Sequence, residues 1–142
     1  MRTLTIIAIL SSIVACETTE CCDFPIDFEL QGEWIQTERG YSPGSGYIID
    51  KIPQSDNLLI TFEDNNQLVT NIDGLTHFKY YNVVKDSTID GSILILSDSR
   101  SDFKEAKITN EENSYIIEYQ NQKLLLYYMF CFEGCHIGLE RK

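Results

Sequence analysis

The sequence predicts an all-β domain, an antiparallel meander of about eight short strands closed into a barrel. Three observations carry that expectation. From residue 30 onward, apolar and polar side chains alternate along short runs. Clusters of Gly, Asn, Asp and Ser interrupt those runs at intervals of about ten residues, the rhythm of a meander. No segment repeats apolar side chains at the three-and-four spacing of a helix over about ten residues. A sandwich would satisfy the same pattern, but closure removes the unpaired edges that otherwise recruit other chains.

Taken in order, "GEWIQTE" opens the domain as a strand. In "NLLITFE", Leu58, Ile60 and Phe62 share one face, with Leu59, Thr61 and Glu63 on the other. "EDNNQ" supplies turn residues and "QLVTN" returns. "HFKYYNVV" reads as a strand with Phe78, Tyr80 and Val84 on one side. "DGSILILSD" starts at an Asp90-Gly91 turn and sets Ile93 and Ile95 opposite Leu94 and Leu96. "FKEAKITN" pairs Ala106 with Ile108, and "SYIIEY" places Tyr115, Ile117 and Tyr119 together. After the short "YQNQK" turn comes "KLLLYYMF", the most apolar run, and "CHIGLER" closes the chain with Cys135, Ile137 and Leu139 inward. The residues expected to line the interior, as core or as ligand cavity, are Trp34, Leu58, Ile60, Phe62, Phe78, Tyr80, Tyr115, Tyr119 and Tyr128.

The first residues belong to different chemistry. Met1 and Arg2 precede "TLTIIAILSSIVA", an uncharged run too short for a membrane-spanning helix of about 20 residues. It reads as an export signal. Its end, Ile13-Val14-Ala15-Cys16, resembles the lipobox of bacterial lipoproteins. That resemblance implies cleavage before Cys16 and acylation of its thiol. Each buried acyl methylene contributes about 0.8 kcal/mol, so the chains, palmitate among them, anchor the product to a membrane. Glu17 follows the cysteine, and Glu17, Glu20 and Asp23 form an acidic cluster. Glu17 stands where an Asp would resemble an inner-membrane retention signal, and the cluster resembles the acidic tails that direct some lipoproteins of Bacteroidetes to the cell surface. The resemblance implies the outer membrane, on its periplasmic face or at the cell surface. The expected organisation is a signal peptide over 1–15, a lipidated N-terminus and tether over 16–29, and one domain over 30–142.

Charge and cysteine content bound the partners. The chain holds 22 acidic and 11 basic residues, a net charge of −11. Such a surface repels nucleic acid and anionic headgroups, which leaves nucleic acid out. Export places Cys21, Cys22, Cys131 and Cys135 in an oxidising compartment, where disulfides persist. Cys131 and Cys135 flank "FEG", a tight turn in which Gly134 is free to take positive φ, and a bridge across that turn is the first choice. The alternative joins the N-terminal pair to the C-terminal pair. The spacing does not suit a zinc knuckle, and "DSTIDG" lacks the ligand pattern of a calcium loop, so no metal or cofactor is expected.

Gly32-x-Trp34, near the start of the first strand, resembles the Gly-x-Trp signature of lipocalins. "SPGSG", the "NLLITFEDNNQL" hairpin and "CFEGC" are similar to features of the lipocalin-like lipoproteins of Bacteroidetes, over residues 30–142. The resemblance implies an eight-stranded barrel whose closed end is plugged by Trp34. It also implies an Arg from the last strand packed on that Trp, for which Arg141 is the candidate, and carriage of a small apolar or amphipathic molecule.

Catalytic constellations do not assemble from this sequence. His77 and His136 lie on separate segments, and "SDSRSD" has neither a glycine elbow nor a nearby His. Two function classes follow. One is a membrane-tethered binding module; the other is a non-enzymatic envelope or interaction protein, such as an inhibitor, with a packed core. No protein partner is indicated.

Overall fold

Alternation sets the architecture strand by strand. The structure, a computed structural model, describes residues 29–85, 91–100, 113–131 and 134–142. The export signal, Cys16, Cys21, Cys22 and the "FKEAKITN" run with Ala106 and Ile108 lie outside the described residues. Within them are nine strands and no α-helix: β1 (Gly32–Tyr41), β2 (Ile48–Lys51), β3 (Leu59–Phe62), β4 (Leu68–Thr70), β5 (Tyr80–Lys85), β6 (Ser92–Ser97), β7 (Ser114–Gln120), β8 (Lys123–Tyr128) and β9 (His136–Arg141).

All pairings are antiparallel, in the order β4-β3-β1-β9-β8-β7-β6-β5. β2 and β3 share one side of β1. β3 takes Gly32 to Ile35, and β2 takes Glu38 to Tyr41. The path therefore nearly closes: Leu68 N–H donates to the Lys79 carbonyl at 2.8 Å, and Gln67 bridges Tyr80. The expected meander barrel is the observed fold. Turn chemistry is also as read, for Asn121 and Gln122 hold positive φ of 53° and 65° between β7 and β8, the geometry of a two-residue hairpin loop.

The interior is apolar and filled at one end. Trp34, Ile60, Phe62 and Tyr115 are fully buried, and Leu58, Tyr119 and Tyr128 pack against them half-buried. Trp34 seals that end: its Nε1–H donates to the Leu30 carbonyl at 2.8 Å, and the Arg141 guanidinium lies over its ring at 4.6 Å. Arg141 also donates from Nη1 to the Gln31 carbonyl at 2.6 Å and from Nη2 to the Glu29 carbonyl. The last strand thus holds the start of the domain.

One expectation is corrected. Tyr80 does not line the interior. Its neighbour Tyr81 takes that position, edge-on to Phe62 at 5.0 Å, its hydroxyl donating to the Glu63 carbonyl at 3.1 Å. The cause lies upstream. Residues 71–78 form successive turns, with Leu75 N–H on the Ile72 carbonyl and Phe78 N–H on the Leu75 carbonyl, both at 3.0 Å. That three-residue spacing buries Ile72, Leu75 and Phe78 together. Phe78 is core as expected, but it belongs to the turns, so its phase does not carry into β5. Val84, on the same face as Tyr80, is half-buried too.

Candidate functional site

Among the described residues, the end opposite Trp34 is open. Two clefts lie there, one of about 620 Å³ and one of about 590 Å³. The first is lined by Gly74, Leu75, His77, Tyr115, Tyr128, Phe130, Cys131 and Cys135. Gln36, Arg39, Leu58, Ile72, Asp73, Tyr128, Cys135 and Ile137 are among the residues of the second. Tyr128 and Cys135 belong to both, so β8 and the start of β9 form the partition. Leu75 and Ile72, from the turns after β4, floor one cleft each. Volumes in this range suit a small ligand, and the mix of apolar walls with a few polar tips is the usual lining of such sites.

The partition is held from within. Cys131 and Cys135 are joined by a disulfide with Cα atoms 5.6 Å apart, the first-choice pairing from the sequence. Gly134 holds the positive φ of 76° that the turn requires. Tyr128 N–H donates to the Cys135 carbonyl at 3.0 Å, and the rings of Tyr115 and Tyr128 sit 4.8 Å apart. Burial raises the Tyr128 pKa, and a hydrogen bond with Tyr115 draws it part of the way back. A neutral phenol at the partition suits an uncharged or weakly polar ligand group.

Of the residues expected to line the interior, Leu58, Tyr115 and Tyr128 reach these clefts, whereas Trp34, Ile60, Phe62, Phe78 and Tyr119 lie in or against the packed core. Sequence reasoning missed the floors Ile72 and Leu75, and also a second constellation, on the outer face. Plain alternation would send Trp34, Gln36 and Glu38 all inward. The ladder between β1 and β9 instead shifts register between Gln36 and Glu38, a bulge with Thr37 as the extra residue. Gln36 keeps its place opposite Leu139 inside, whereas Glu38 now faces Gly138 outside. There the Glu38 carboxylate accepts from Lys123 Nζ at 2.9 Å, from Lys51 Nζ and from His136 Nε2 at 3.3 Å. His136 Nδ1 in turn meets the Tyr47 hydroxyl, with the two rings stacked at 5.8 Å.

Two glycines make the space. A Cβ at Gly138 would collide with the Glu38 side chain, and one at Gly40 with Tyr47 and His136. Burial acts to raise the Glu38 pKa, but the hydrogen bonds from Lys51, Lys123 and His136, with the Lys123 charge, outweigh it and hold it at about 2. Lys123 moves up, through its bond to Glu38 first. Burial raises the Tyr47 pKa, and the Glu38 charge adds to it. The hydroxyl–imidazole–carboxylate line therefore holds its phenol away from ionisation; what it does physically is pin the segment before β2 to β9. The signal for it lay in Gly40, His136 and Gly138, small or polar residues at matching ladder positions, and only the bulge brings Glu38 to them.

No protein family, curated protein or solved structure matches the chain.

Proposed function

We propose that this protein is a lipid-anchored, lipocalin-like binding module of the cell envelope, without enzymatic activity, that carries or senses a small apolar or amphipathic molecule at the open end of its barrel. The observation that carries the reading is the pair of clefts of about 620 and 590 Å³ on either side of Tyr128, at the end opposite the Trp34 plug. The Arg141 guanidinium over Trp34 supports the likeness to lipocalins noted from Gly32-x-Trp34. The lipobox-like run ending at Cys16 supports an anchor in the outer membrane.

The direct test is native mass spectrometry of the protein purified from its own membranes. A small molecule that co-purifies and is lost in Tyr128→Ala supports carriage. A bare protein mass in every preparation overturns it. The same spectrum reads the anchor: a chain beginning at Cys16 with added acyl mass supports lipidation, and an unmodified Cys16 refutes it.

A second reading is an envelope interaction module with a packed barrel. It draws on Ile72 and Leu75, which fill the barrel beneath the clefts, and on the exposed Tyr47, Ile48 and Ile49. A bare mass supports this reading.

A further inference from the structure

Among the described residues, β2 is held on one side, by β1, and pairs with no strand on the other. Ile52 N–H donates to the Thr37 carbonyl at 2.9 Å, so Ile48, Asp50 and Ile52 turn their peptide groups toward β1. The peptide groups of Ile49 and Lys51 therefore point away from it. Flanking this edge are three consecutive exposed apolar side chains, Tyr47, Ile48 and Ile49, with relative exposures of 45%, 40% and 49%.

An unpaired apolar edge is ordinarily blunted by charge, by proline or by a covering element. Here the charges are already spent within the protein. Arg39 pairs with Asp50, Lys51 and Lys123 with Glu38, and Lys123 also with Glu140. The edge is thus a locally neutral island on a chain whose net charge is −11. It is also preorganised, because Tyr47 is tied to His136 and Lys51 to Glu38.

We propose that β2 is a docking edge for a second copy of this chain, the two β2 strands pairing antiparallel about a two-fold axis at Ile49. The register follows from charge and from the outward peptide groups, since a two-fold at Ile48 would leave those of Lys51 unpaired. A two-fold at Asp50 would oppose two aspartates and one at Lys51 two lysines, both unfavourable. Centred on Ile49, the pairing sets Ile49 against its counterpart and Tyr47 against the other copy's Lys51. The outward peptide groups of Ile49 then meet those of their counterpart, as a hydrogen-bonded antiparallel pair requires. The strand is short, so the dimer is a small, transient one. This inference stands apart from the clefts and does not depend on a ligand.

Sedimentation velocity of the full-length protein in density-matched detergent tests it, across a concentration series reaching high micromolar. The expected result is a shift from monomer to twice the monomer mass as concentration rises. Ile49→Lys puts like charges at the centre of the pair and should abolish that shift. Ile49→Pro removes an N–H that β1 does not use and should do the same, with β1–β2 intact. Both should melt at the wild-type temperature; if the proline variant fails to fold, the lysine variant decides. A wild-type monomer throughout overturns the proposal, as does a dimer that persists in the folded variants. A monomer that binds phosphatidylcholine vesicles and loses that binding in Ile49→Lys also overturns it, by giving the edge to a lipid surface.

Discussion

Glu38 sits where a lone carboxylate would not stay ionised, with only 8% of its side chain exposed. Two lysines and a histidine keep the charge in place, and this makes the site a source of pH-dependent stability. Folded, the group titrates at about 2; its ordinary value is 4.5. A lowered pKa contributes stability that is complete above the unfolded value and disappears as pH falls toward the folded one. The window is therefore pH 4.5 down to about 2. By pH 3 the group's contribution should have dropped by about 2 kcal/mol relative to neutral pH. Urea unfolding at neutral pH and near pH 3 measures it. Glu38→Gln should be less stable by roughly 1–3 kcal/mol at neutral pH, since half-buried Lys123 is left with Glu140 alone and Lys51 loses its carboxylate partner. The variant should also lose most of the acid dependence. An acid dependence unchanged in Glu38→Gln would assign it to other carboxylates. Gly138→Ala tests the same site sterically: its methyl group collides with Glu38 and should cost roughly 1–3 kcal/mol in the same assay.

Elements were legible in the sequence wherever side-chain period alone decides. β3 shows it, with Ile60 and Phe62 buried and Leu59 and Thr61 turned outward, as read from "NLLITFE". β7 shows it again through Tyr115 and Ile117. What alternation does not encode is a change of phase. The bulge at Thr37 moves Glu38 to the outer face, and nothing in "QTER" announces it, because its cause is the pairing partner. Likewise the turns of residues 71–78 bury Ile72, Leu75 and Phe78 at a three-residue spacing that looks like loop composition when "NIDGLTHF" is read alone. Those turns make one element with two tasks, closing the core between β4 and β5 and flooring both clefts. Leu75→Ala should therefore cost about 2–4 kcal/mol in guanidinium unfolding, the usual loss for a fully buried leucine. It should also enlarge the first cleft and weaken any ligand that contacts its floor. A loss well below 1 kcal/mol would mean that the turns do not share the core's cooperativity.

At the scale of the molecule the barrel has a tied end and an open end, and the difference originates at the two limits of the domain. β1 starts and β9 finishes side by side, Trp34 opposite Arg141, so one ladder brings the plug and its cover together. The Arg141 guanidinium lies over the indole and reaches the Gln31 and Glu29 carbonyls, which fixes the segment entering the barrel. At the other end, among the described residues, Cys131–Cys135 stiffens the rim and the clefts remain on either side of Tyr128. Each end should thus respond on its own. Arg141→Ala removes a cation–π contact and two hydrogen bonds at an exposed position, a loss of about 1 kcal/mol. Trp34 is the single tryptophan of the chain, so its emission reports this end alone. In Arg141→Ala that emission should shift to the red in the native state, as water gains access to the ring. Amide exchange should quicken at residues 29–32 while Tyr128 and its neighbours in the rim stay as slow as in the wild type. If protection fell equally at both ends, the plug would be holding the whole barrel rather than its own end.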